Sequence, residues 1–298
     1  MGVKAVTDDF TVRSASDIKS TKSANIFSIV VHVMSSLKAV PPIAAPTPEA
    51  VASAEKHYNA VLECFPVAVD NFERKWAAWH DICLVQASAE GNPDKCTKTE
   101  QFETLKRLGP KIITFVVYKL ATAVDGLNFY GVFIYNAIEN DSQYRVEPDP
   151  EETATSVDTL RRLSARIVEL NYQRNLVFET RVQAWSQFHR DNWLRGSSLA
   201  FTMTDEYFDL VDMGTSIIAP VMVSYYHLNW GYWWQLLHEL IHGQQVGAYS
   251  YQPGAIYEAC AQWFSEGDHV DAPLYKQTEE DKRFFGEPWS TKNNEAAQ

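Results

Sequence analysis

Apolar residues recur at three- and four-residue intervals through most of the chain, the spacing of one buried helix face. Thr47-Pro48-Glu49 sets a capping hydroxyl, a proline and an acid where a helix should start, and Pro66 should interrupt that helix just after Phe65. Val69, Phe72, Trp76 and Trp79 continue at helical spacing over 67–86, followed by a polar loop over 90–99. Three further helices are predicted over 101–108, 111–123 and 127–138, separated by Gly109-Pro110 and Asp125-Gly126. A long helix is predicted over 151–193, with Val157, Leu160, Leu163, Ile167, Leu170, Val177, Trp185 and Phe188 as its apolar stripe. Arg161, Arg162, Arg166, Glu169 and Arg174 lie off that stripe and are expected to face solvent. From Gly196 the texture changes. Residues 198–203 and 215–226 are rich in β-branched and aromatic side chains and read as two short strands, with Pro220 at an edge or a bulge.

This pattern divides the chain into an N-terminal segment and proline-rich linker over 1–48 and a helical domain over 49–195. A smaller unit over 196–275 and a polar tail over 276–298 follow. With 298 residues and 46% hydrophobic content, such parts can bury proper cores. The net charge of −12 argues against nucleic-acid binding, which needs clustered Lys and Arg, and against adhesion to anionic membranes. The apolar run over 26–34 is too short to span a bilayer and lacks the flanks of a signal peptide, so a cytoplasmic or non-classically secreted protein is expected. The most apolar tract, 111–138, is broken by Lys119, Asp125, Asn128 and Asn136 and reads as a buried helical hairpin; a membrane-inserting hairpin is the other reading. Cys64, Cys83 and Cys260 sit in apolar helical contexts expected to bury them. Cys83 and Cys96 could bridge the polar loop in an oxidising compartment; without a signal peptide, reduced thiols are expected.

One stretch carries candidate chemistry. In Trp233-Trp234-Gln235-Leu236-Leu237-His238-Glu239-Leu240-Ile241-His242, the two histidines are four residues apart. On a helix they lie one turn above each other and can aim both imidazoles at one divalent metal. Glu239 is rotated roughly 100° from His238, beside the metal, where a carboxylate can deprotonate a bound water. Catalytic zinc usually takes a third protein ligand and keeps one open position. His227, just before this helix, could reach the same cleft, although a structural histidine fits as well; Asn229 is a plausible helix cap.

Downstream comes Gly254-Ala255-Ile256-Tyr257-Glu258-Ala259. Together with His-Glu-x-x-His, it resembles the third-ligand helix of thermolysin-like gluzincin metallopeptidases. The resemblance covers 238–264 and implies Zn²⁺ held by His238, His242 and Glu258, with Glu239 as general base and Tyr249 as a donor to the oxyanion. The family's aspartate that orients the first histidine is replaced by Gln262, whose carbonyl could still accept an imidazole N–H. The loop between His242 and Glu258 is shorter than the family's.

The resulting expectation is a mostly helical α+β protein. An N-terminal helical bundle packs on a small C-terminal zincin-like unit made of a short sheet, the active-site helix and the third-ligand helix. The implied activity is zinc-dependent hydrolysis of a peptide or protein substrate. With no Gly-x-Met-Glu-Asn segment for a free amine, an endopeptidase is expected. Two other readings stand beside it: a helical binding or scaffold protein whose zinc site is structural or inactive, and a toxin-like membrane-active helical protein.

Overall fold

Local signals fix the first helices. Thr47 accepts a hydrogen bond from the backbone N–H of Ala50 and starts α1 (Pro48–Cys64), with Pro48 in the first turn where a missing N–H costs nothing. Phe65 ends it in a non-helical conformation, and Pro66 opens α2 (Pro66–Glu90). The polar loop contains a 3₁₀ turn, Pro93–Lys98, before α3 (Glu100–Arg107), whose cap is Thr99. A second 3₁₀ turn, Gly109–Ile112, leads into α4 (Ile113–Ala121), and α5 (Gly131–Ile138) completes the apolar tract. The computed structural model describes residues 45–90, 93–123, 128–148, 156–192, 194, 199–228, 231–244 and 253–274, which all belong to one unit, Ile43–Gln298.

The long helix α6 (Val157–Asp191) is the axis of that unit. It packs on α1 and α4, which also pack on each other, and on the short α8 (Asp205–Val211) that follows α7 (Leu199–Thr202). Trp79, Trp185, Trp233, Tyr135, Tyr207, Phe72 and Phe115 are fully buried. Each such ring removes on the order of 200 Å² from water, about 5 kcal/mol of gross burial before ordering costs.

The expected sheet is absent: the described residues contain helices and turns and no strand, so the fold is all-helical and the zincin-like unit with a sheet is corrected. Residues 199–202 form α7, and 215–227 form a 3₁₀ turn running into α9 (Ile218–His227). The reason lies in burial. Ile218, Ala219, Val221, Met222 and Tyr225 are all buried, at offsets of one, three, four and seven, which is a helix face rather than a pleat. Pro220 sits in the first turn of α9, where its missing N–H is tolerated as it is at Pro48. β-branched composition thus yields to tertiary packing. The remaining helices are α10 (Trp233–His242) and α11 (Pro253–Glu266); α9 packs on α10, and α11 packs on α2.

Two side chains expected in solvent are buried. Arg174, 2% exposed, donates to Glu139 Oε2 at 2.7 Å and to Asn171 Oδ1 at 2.9 Å, with its guanidinium over the Tyr144 ring. Glu169 is buried too and accepts from the backbone N–H of Thr47, tying the start of α1 to α6. Lys111 is likewise buried and donates to the carbonyls of Trp263, Phe264 and Gly267, a cation on the C-terminal end of α11. All four cysteines are thiols, and Cys64 is half-exposed rather than buried, with Sγ 3.4 Å from Nε2 of His227 at the exposed end of α9. No described helix is long and apolar enough to cross a membrane.

Candidate functional site

The site helix α10 is buried on most of its surface: Trp233, Trp234, Gln235, Leu236, Leu237, His238 and Leu240 are all shielded. Trp233 anchors it edge-on against Trp185 of α6, with ring centroids 4.9 Å apart. Its cap is Tyr232, without a side-chain hydrogen bond, so the cap expected at Asn229 is corrected. Gly243 ends the helix in the left-handed conformation, φ 67°, and its N–H returns to the carbonyl of Glu239 at 2.8 Å. A side chain at position 243 would be strained in that conformation, and the chain turns sharply there.

That turn orients the first histidine. His238 is 4% exposed, and its Nδ1 lies 3.0 Å from the backbone carbonyl of Gln244. A carbonyl only accepts, so Nδ1 carries the hydrogen and Nε2 is the basic nitrogen of the ring. Gln244, through its backbone, fills the role expected of Gln262, which is exposed on α11. His242 is half-buried, and its Nε2 lies 3.0 Å from the carbonyl of Pro273, which assigns that nitrogen as the donor. The two rings lie with centroids 4.5 Å apart and their planes tilted by 49°. Burial holds His238 below the ordinary histidine range; the Gln244 carbonyl opposes that shift and the neighbouring His242 adds to it. A neutral imidazole is the form that ligates metal.

Glu239 is half-buried and accepts a hydrogen bond from Tyr207 Oη at 2.8 Å. Tyr207, on α8, has no exposed surface, and its backbone N–H is capped by Thr204. Burial first, then the charge and hydrogen bond of Glu239, push the phenol well above its ordinary value, so it stays a donor. A buried donor of this kind fixes the orientation of the carboxylate.

The third expected ligand stands apart. Glu258 is exposed on α11, whose inward face carries Cys260, Trp263 and Phe264. Among the described residues, no group of three or more His, Cys, Asp and Glu is placed to hold a metal. Tyr249 lies outside the described residues. Each ring of the imidazole pair has one nitrogen on a backbone carbonyl, a support that ligating histidines commonly have. Glu258, on the exposed face of α11, does not complete the set.

Tyr207 was not singled out from the sequence, and His269, which reads there as part of a helix end in solvent, is half-buried. Tyr207 lies 32 residues before Glu239, and only its place in the fold brings it to the site. His269, in the 3₁₀ turn His269–Asp271, is lowered by burial and then by the nearby charges of Lys111 and His242, so the segment after α11 runs past the second histidine. The Glu266-x-x-His269 spacing was its only sequence signal, and a weak one. Comparison of the chain with protein-family models, with curated proteins and with solved structures finds no match.

Proposed function

We propose that the chain is a metal-dependent hydrolase acting on peptide bonds, with Zn²⁺ on His238 and His242. The observation that carries this reading is the adjacent imidazole pair at 4.5 Å, each ring held by a backbone carbonyl. Bound zinc supplies a water of near-neutral pKa and polarises a scissile carbonyl. Glu239 takes the proton of the attacking water and passes it to the leaving amine. Tyr207 positions Glu239 through its 2.8 Å hydrogen bond. Glu258 as third ligand and Tyr249 as oxyanion donor rest on the gluzincin resemblance alone. An endopeptidase remains the preferred specificity, with a peptide or protein as substrate.

A helical binding protein with an inactive or structural site is the second reading. The observation that favours it is the exposure of Glu258, away from the histidine pair. One variant separates the two. Glu239→Gln keeps the side-chain shape and removes the base, so it should retain zinc and lose hydrolysis of a casein or quenched-peptide substrate by at least a hundredfold, on the order expected for losing a general base. Loss of zinc in that variant makes Glu239 a ligand, and wild-type protein that holds zinc and cleaves nothing selects the binding reading.

A further inference from the structure

The two cysteines that flank the polar loop lie on elements that pack together. Cys83 is on α2 and Cys96 is on the 3₁₀ turn Pro93–Lys98, which packs against that helix. Both have no exposed surface, and burial pushes both thiols up, with each near enough to affect the other. The backbone at Cys96 is pinned from two sides, since its carbonyl accepts from Trp79 Nε1 at 3.0 Å and from Thr99 Oγ1 at 3.1 Å. Tyr130 lies close enough for its hydroxyl to feel both sulfurs. Cys64 and Cys260 lie on other elements, at the end of α1 and on α11.

We propose that Cys83 and Cys96 are a redox pair that closes to an intramolecular disulfide, stapling the 3₁₀ turn to α2. The oxidant is a low-molecular-weight disulfide such as oxidised glutathione. The Cys96 thiolate attacks one glutathione sulfur, breaking its S–S bond and releasing one glutathione thiolate. Cys83 then attacks the Cys96 sulfur of the mixed disulfide, forming the protein S–S bond and expelling the second glutathione. The two protons leave with the two glutathione thiolates, and two electrons pass from the cysteine pair to glutathione. Cys96 attacks first because it sits on the short 3₁₀ turn rather than inside the long helix α2. Closing the pair to an S–S bond of about 2.05 Å draws on the turn, because a six-residue 3₁₀ turn yields more readily than the middle of an α-helix. Burial makes the reaction slow in the folded protein and the product resistant to reduction.

The test uses the full chain, incubated natively with oxidised glutathione and, in parallel, refolded in a glutathione redox buffer so that access is not limiting. After denaturation and alkylation, two cysteines should be labelled, Cys64 and Cys260, and peptide mass mapping should find Cys83 joined to Cys96. The oxidised protein should melt on the order of 5–10 °C above the reduced one, from the closure of a short loop, and C96S should show no such shift. Four alkylated cysteines under both regimes, or a linkage between any other pair, overturns the proposal. A Cys83–Cys96 bond that leaves the melting temperature unchanged overturns the staple.

Discussion

Replacing Arg174 by Met should expose how the centre of the fold is held. The side chain keeps most of its length, so the packing loss is small, but Glu139 loses the guanidinium paired with it while remaining at 0% exposure. Three neutral donors stay on the carboxylate: Ser216 Oγ at 2.7 Å, the Asp141 N–H at 3.0 Å and Tyr135 Oη at 3.2 Å. At 2.7 Å and an effective dielectric of about 20, the lost attraction is about 6 kcal/mol, offset by the arginine desolvation that is also removed. A stranded carboxylate can always escape by taking a proton. For an ordinary glutamate that costs about 3.7 kcal/mol at pH 7 and about 1 kcal/mol at pH 5. The loss is therefore capped near 4 kcal/mol at pH 7, within the range seen when one partner of a buried pair is removed. Urea unfolding followed by tryptophan fluorescence should show a loss of about 3–4 kcal/mol at pH 7, shrinking by at least half at pH 5. Adding Glu139→Gln should recover much of the pH 7 loss. A loss below about 1 kcal/mol, or one equal at both pH values, refutes the reasoning.

Tyr207→Phe removes the donor to Glu239 while leaving the ring that packs on Trp185. It should lower kcat about tenfold, from one charge-assisted hydrogen bond, with zinc content unchanged; an unaltered kcat and pH profile would make Tyr207 a packing residue only. Acid should destabilise the fold before the carboxylates titrate. Burial holds His57 and His189 down to about 4, so both are neutral in the fold at pH 7, while in the unfolded chain they take up protons below about 6.5. Their contribution is complete above pH 6.5 and falls as pH drops toward 4, by roughly 2–3 kcal/mol per histidine. Urea midpoints measured from pH 7 to 4.5 should fall, and His189→Phe should flatten that fall; identical slopes in both proteins would contradict the burial argument.

How much was legible depended on how local each signal was. Thr47, Pro48 and Pro66 act within one turn of themselves, so the start and break of α1 could be read directly. The stripe on α6 was readable for the same reason at Leu160, Leu163, Ile167, Leu170 and Trp185, though Val157 is exposed, and the helix's polar side was not. Arg174 looks like a solvated position until Glu139, 35 residues away, is folded against it. The segment Ile218–His227 misled through its composition, because β-branched residues and a proline suggest a strand unless the one-three-four-seven offsets are weighed more heavily. At the site, the pairing of His238 with His242 follows from helix geometry and needed no tertiary information. Tyr207, the Gln244 carbonyl and the Pro273 carbonyl did, since none is close to the motif on the same regular element.

Zinc stoichiometry tests the central claim most directly. Wild-type protein, purified without chelators and dialysed against metal-free buffer, should retain about one zinc per chain by elemental analysis, as for a catalytic site. His238→Ala should lose nearly all of it while keeping the helical circular-dichroism spectrum of the wild type. Because burial depresses the His238 pKa, wild-type zinc should persist to pH values below the ordinary histidine range before it is released. Wild-type protein without zinc, or zinc content unaffected by His238→Ala, would contradict a metal centre on α10.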